Sequence, residues 1–112
     1  MTKEECLKKL RELNNIGKPV KATVKGTDKR KEMGRIEDLV SHIVDENRYE
    51  IQKIKLHKGG IAYRTCYYTG DSKYIGLKFG GFATIMNESD FSELINKAKK
   101  KGWIKINNHL DS

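Results

Sequence analysis

A period-two pattern in the second half of the chain constrains the fold more than any other feature. Ile54 and Leu56 alternate with lysines, and apolar residues again occupy every second position from 75 to 79. The segment between them, 61–69, is rich in β-branched and aromatic residues, and glycine-containing turns separate the three runs. Such alternation is typical of strands with one covered face. The sequence therefore predicts a three-stranded antiparallel meander.

The first residues of the chain predict a helix. Thr2 and Glu5 form a capping-box pair, in which each side chain can bond the backbone of the other. Cys6 and Leu10 lie four residues apart and start one apolar stripe. Because glycine is common just after the last residue of a helix, Gly17 is the predicted end of this helix.

The stretch from 33 to 44 admits two interpretations. Met33, Ile36 and Val40 recur at helical spacing, and acidic residues occupy the other side. A helix is the preferred interpretation. The alternation of Val40, His42 and Val44 also fits a strand, and that alternative stays open.

Two further elements are predicted. Residues 20–24 alternate between apolar and polar and indicate a short strand. Near the end, Asn87 can cap a helix whose apolar stripe includes Leu94 and Ala98, and Gly102 is placed to end it. Together these elements predict one domain, residues 1–112, of class α+β. Its expected architecture is an antiparallel β-meander of three to five strands, packed on one face by two or three helices.

Composition bears on partners and location. The formal net charge is +8, which favours polyanions, with nucleic acid first and an anionic membrane surface second. Apolar runs are too short to span a membrane, and no signal peptide is recognisable at the start. Cys6 and Cys66 lack metal-ligand spacing. We therefore expect a cytoplasmic protein with no metal and no cofactor.

The candidate binding residues follow from the predicted sheet. If Ile54 and Leu56 face the core, Lys53 and Lys55 face away from it, and Arg64 is assigned to the same open face. Lysine and arginine pair with phosphates while aromatic rings stack on splayed bases. The predicted phosphate contacts are Arg64, Lys53, Lys55 and Lys78, the predicted stacking residues are Tyr68 and Tyr74, and the basic loop contributes Lys29, Arg30 and Lys31.

Other interpretations of the same residues remain open. Lysine, arginine and tyrosine are common on any solvated sheet face because they are amphipathic. The middle strand carries tyrosines at both parities, so its faces could be inverted. None of the three histidines lies in a recognised catalytic motif, and no enzymatic activity is predicted. The main rival function is a small adaptor or inhibitor, of a kind that a phage could encode, docking an acidic partner.

Residues 60–98 resemble the transcriptional positive-coactivator family of single-stranded-DNA-binding proteins. The likeness lies in the strand Ile61–Tyr68, the charged turn at 70–73, the run Gly-Gly-Phe-Ala-Thr-Ile at 80–85, and the acidic start of the last helix. The resemblance implies a curved antiparallel sheet backed by a C-terminal helix, dimerisation, and strand binding through Arg64, Tyr68 and Lys78. The chain departs from the family in its additional fifty or so N-terminal residues and in its glycines near Phe82.

The sequence thus predicts a non-catalytic protein that binds single-stranded DNA or RNA with weak sequence preference. Homodimerisation is expected as well, because one short basic face follows few nucleotides. An enzyme that cleaves nucleic acid ranks third, after the adaptor.

Overall fold

The computed structural model of the protein describes residues 2–70, 78–80 and 87–103. In chain order the elements are α1 (Lys3–Glu12), β1 (Pro19–Thr23), β2 (Arg30–Val44), β3 (Asn47–Leu56), β4 (Ile61–Thr69), β5 (Lys78–Gly80) and α2 (Glu88–Lys100). The strands form one antiparallel sheet in the order β1-β2-β3-β4-β5. The predicted α+β class and antiparallel meander are confirmed. Residues 74–77 and 82–86, for which strands were also predicted, lie outside the described residues.

Helix α1 begins as its sequence indicates and ends earlier. The Thr2 hydroxyl accepts a hydrogen bond from the backbone N–H of Glu5 at 3.1 Å, which confirms the predicted N-cap. The helix ends at Glu12 rather than near Gly17. Gly17 has a φ of +87° and donates its N–H to the carbonyl of Ile36 at 2.7 Å, so it belongs to the connection into β1.

The segment preferred as a helix at 33–44 is instead part of the long strand β2. The reason is visible in the pairing, where Ile36 lies opposite Ile54 but Asp38 lies opposite Lys53, leaving Glu37 as an extra residue in a bulge. A bulge shifts the period by one, so Ile36 and Leu39 face the same side at a spacing of three. Three-residue spacing of apolar side chains imitates a helix, and the helix prediction was wrong.

The two helices lie on opposite faces of the sheet, whereas the sequence predicted that the helices pack on one face. Leu94 and Ala98 of α2 pack against Val40 and Ile51, and we call this side the α2 face. On the other side, which we call the α1 face, Arg48 donates from Nη1 to the carbonyl of Leu10 at 2.8 Å. Arg48 and Ile51 lie on opposite faces because side chains alternate along β3.

A second apolar cluster lies on the α1 face beyond the end of α1. Val20, Ile36 and Ile54 are buried together, with the partly buried Ala62 packed against them. Val20 belongs to β1 and Ala62 to β4, so the sheet curls until its first and fourth strands approach one another. Within the described ranges, no helix is long and apolar enough to cross a membrane.

Candidate functional site

A small cavity lies where the curl brings β1 near β4. Its volume is about 210 Å³, and its lining residues are Pro19, Lys21, Arg30, Arg64 and Tyr68. Lys21 and Arg30 are exposed on the β1–β2 hairpin, whereas Arg64 and Tyr68 are half-buried on β4. No carboxylate among the described residues lines this cavity. A concave wall carrying three cations concentrates positive potential and attracts anions.

Arg64 is held in place by a neutral neighbour. The Gln52 side-chain carbonyl accepts from Arg64 Nε at 3.0 Å and from Arg64 Nη2 at 2.6 Å. The Gln52 amide nitrogen donates to Glu50 at 2.8 Å and to the Tyr68 hydroxyl at 3.3 Å. Because its nitrogen is committed to those acceptors, the Gln52 oxygen must face the guanidinium. The orientation of Arg64 at the cavity therefore follows from the buried residues behind it.

Glu50 is the centre of a buried polar network. Its carboxylate is 0% exposed and accepts from Arg48 Nε at 2.7 Å. The Asn15 amide donates to both carboxylate oxygens at 3.1 Å. A buried charge is tolerated only when it is paired and hydrogen-bonded, and Glu50 meets both conditions. The network connects the end of α1 with Gln52 and so with the cavity.

Two titratable side chains beside the cavity stay neutral at neutral pH. Burial raises the pKa of the Cys66 thiol to about 11. Burial is also the largest cause of the raised pKa of Tyr68, whose hydroxyl accepts from Gln52. A thiolate is the reactive form of cysteine, so Cys66 is an inert core residue, as its sequence context suggests. The charge at the cavity therefore comes from Lys21, Arg30 and Arg64.

The structure brings together three of the residues predicted from the sequence, namely Arg30, Arg64 and Tyr68. Lys29 and Lys31 flank Arg30 on the exposed hairpin and do not line the cavity. Tyr74 and the side chain of Lys78 lie outside the described residues.

Lys53 and Lys55 do not share a face with Arg64, and that part of the prediction is wrong. Lys53 pairs with Tyr63, and Gln52 pairs with Arg64, so the two lysines lie on the α2 face. Lys53 also forms an ion pair with Glu37, with Nζ 3.7 Å from the nearest carboxylate oxygen. Alternation within each strand was interpreted correctly, but the register between strands is set by the turn at 57–60, which alternation does not specify.

Arg64 was also predicted to lie on the face of the sheet that points away from the core residue Ile54. In the structure the two side chains share the α1 face. Ile54 lies directly across from Ala62, two positions from Arg64. One face of the sheet is thus apolar core around Ile54 and charged around Arg64. The cationic groups can lie on this face of the sheet because the curl leaves an opening between β1 and β4.

Lys21 is the residue that sequence reasoning missed. Its alternation with Val20 indicated an exposed position on a strand. Lys21 lines the cavity because β1 approaches β4. Nothing in the sequence around Lys21 indicates that approach.

No group of three or more His, Cys, Asp or Glu side chains suited to a metal ion occurs in the described part of the chain. Comparison of the chain with protein-family models, with curated proteins and with solved structures finds no match. The chemistry of the cavity and its surroundings therefore has to indicate what the protein binds.

Proposed function

We propose that the protein is a non-catalytic nucleic-acid-binding protein that holds single-stranded DNA or RNA with weak sequence preference. The observation that carries this proposal is the gathering of Lys21, Arg30 and Arg64 beside the ring of Tyr68 around one cavity. Cations bind the backbone phosphates, and an aromatic ring offers a face on which any base can stack. The resemblance of residues 60–98 to the positive-coactivator family supports the same roles for Arg64 and Tyr68.

The exposed hairpin extends the positive surface beyond the cavity. Lys25 and Lys29 lie in the turn between β1 and β2, and Lys31 follows at the start of β2. Exposed lysines contribute attraction that does not depend on base identity. Binding through them is therefore sensitive to salt and tolerant of sequence.

Homodimerisation is part of the proposal. A cavity of about 210 Å³ contacts only a small part of a strand, and a second copy would double the binding surface. Sedimentation equilibrium with and without an oligonucleotide tests this, and a monomer under both conditions would remove the dimer. We place the protein in the cytoplasm, where cysteines outside disulfides, such as Cys6 and Cys66, stay reduced.

The proposal is tested by titrating fluorescent single-stranded DNA, single-stranded RNA and duplex at two salt concentrations. Single strands should bind more tightly than duplex, and their affinity should fall steeply with salt. Tyr68→Ala should lose about 1–3 kcal/mol of binding with little change in the salt slope, because stacking is uncharged. Tyr68→Phe keeps the ring and serves as the matched control, and circular dichroism checks that both variants fold.

An absence of oligonucleotide binding at low salt would remove the proposal. It would promote the second candidate, a small adaptor or inhibitor that docks an acidic partner. That candidate is favoured by the α2 face, where the exposed Ile61 and Tyr63 lie across from Lys55 and Lys53. Aromatic side chains are enriched at protein interfaces, and the positive charge of the two lysines suits an acidic partner.

A further inference from the structure

We infer, building on the proposed function, that the cavity binds the terminal phosphate monoester of a strand rather than a base or an internal phosphate. Its volume is about 210 Å³. Pockets that enclose a drug-sized ligand measure roughly 300–1,000 Å³. One phosphate group and the edge of its sugar fit this smaller volume, and the open side of the cavity lets the rest of the strand pass out of it.

The charge at the cavity matches a monoester better than a diester. Three cations line the cavity, namely Lys21, Arg30 and Arg64. Glu50, the carboxylate of the buried network behind them, is paired with Arg48. An internal phosphodiester carries a single negative charge, whereas a phosphate monoester carries about −1.5 to −2 near neutral pH. A monoester also presents more acceptor oxygens for charge-assisted hydrogen bonds.

The placement of Arg64 favours recognition of the oxygens of a phosphate group. Arginine presents its donors as a rigid fork that suits phosphate. The Gln52 carbonyl accepts from Nε and from Nη2, and these two bonds fix the plane of the guanidinium before any ligand arrives. Less conformational freedom is then lost on binding. Tyr68 lies at the same cavity, where its ring can contact the first sugar or base of the strand.

The test compares one oligonucleotide sequence with a 5′-phosphate, with a 3′-phosphate and with hydroxyls at both ends, using the full chain. At least one phosphorylated end should bind about tenfold more tightly than the hydroxyl form, as expected for one to two extra charge-assisted bonds. Comparison of the 5′ and 3′ arms shows which end enters. Inorganic phosphate should compete with the phosphorylated strand and remove its advantage.

The site is tested with two exposed cations that do not belong to the core, Lys21→Ala and Arg30→Ala. Each should reduce the preference for the phosphorylated end several-fold. Lys99→Ala, an exposed lysine on α2, is the matched control and should leave the preference unchanged. A preference that survives in the Arg30 and Lys21 variants would overturn the assignment of this cavity.

The inference and the proposed function fail in distinguishable ways. Equal affinity for all three ends, with binding intact, overturns the terminal-phosphate inference and leaves strand binding standing. Binding of phosphorylated ends and of inorganic phosphate, without any binding of hydroxyl-ended strands, supports the cavity and overturns strand binding. No binding of any probe overturns both.

Discussion

Gln52 is a neutral side chain between the charged Glu50 and Arg64, and its hydrogen bonds set the orientation of Arg64. Glu50 takes one hydrogen from the Gln52 amide, so the amide oxygen faces Arg64. Gln52 and Glu50 are both 0% exposed, so water does not compete for these bonds. At this scale, the orientation of a cavity side chain depends on residues that never reach the surface.

Gly34 is the position where one added carbon should do most damage. A Cβ built there would lie 2.2 Å from the Lys55 carbonyl oxygen, which belongs to the neighbouring strand backbone. Because neither strand can move without breaking its pairing, Gly34→Ala should lower the free energy of unfolding by about 3 kcal/mol or more. Urea denaturation measures the loss.

Gly26→Ala is the control for that prediction. Gly26 has a φ of +82° with no atom within 4 Å of the added Cβ, so only the backbone conformation opposes the substitution. Its expected cost is about 1–2 kcal/mol. A smaller loss at Gly34 than at Gly26 would contradict the close approach of β2 and β3.

Cys66 should make stability fall at alkaline pH. Its pKa is raised from 9.0 to about 11, chiefly by burial, so the folded protein keeps a proton that the unfolded chain releases. That contribution is complete below about pH 9 and is lost as the pH rises through 11, a loss of about 2 kcal/mol. Urea denaturation at about pH 8 and about pH 11 measures it.

Tyr49 and Tyr68 also have raised pKa values and contribute with the same sign, so the comparison must be made against Cys66→Ala. That variant lacks the thiol and should lose about 2 kcal/mol less between the two pH values. Equal losses in both proteins would show that the thiol is not buried.

At the scale of elements, β2 shows how local pattern and pairing can disagree. Bulges at Met33 and Glu37 leave no residue directly opposite Met33 in β1 or directly opposite Glu37 in β3. Each bulge shifts by one residue the positions whose side chains point to a given face of the sheet. Because both faces are partly buried, apolar residues also stand next to one another in the sequence. The resulting spacing is helical although the structure is extended. Only the strands on either side decide between the two.

Arg48 links helix α1 to the sheet through the Leu10 carbonyl, and Glu50 holds Arg48. Glu50→Gln removes the partner of a buried arginine, so the free energy of unfolding should fall by about 3–5 kcal/mol. Glu37→Gln is the matched control, since Glu37 is exposed and its pair with Lys53 is worth about 1 kcal/mol or less. Urea denaturation compares the variants, and similar losses would show that the buried network does not hold the helix.

At the scale of the whole molecule, the curl of the sheet creates the site. Val20 of β1 and Ala62 of β4 meet the same apolar cluster, and the cavity forms beside it. An antiparallel sheet twists by the handedness of its strands, and burial of these apolar side chains continues the twist into a curl. Cations far apart in sequence thereby become neighbours.

Lys21→Ala and Lys55→Ala test which face binds a strand. Both are exposed strand lysines, but Lys21 lines the cavity and Lys55 lies on the α2 face. Lys21→Ala should lower oligonucleotide affinity several-fold and reduce the salt slope by about 0.7, the value for one phosphate contact on a single strand. Lys55→Ala should change both much less. Fluorescence anisotropy at several salt concentrations measures both, and a larger effect at Lys55 would move the interface to the α2 face.

Residues close together in the sequence determined many features of this protein. Capping at Thr2 and Asn87, alternation along β3 and β4, and the excess of positive charge were all readable, because each depends on residues close in sequence. The register that separates Lys53 from Arg64, the strand at 30–44 and the entry of Lys21 into the cavity were decided by tertiary structure. Each of these depends on pairing or packing between distant segments, and period-two alternation is the same whichever face a neighbouring strand presents.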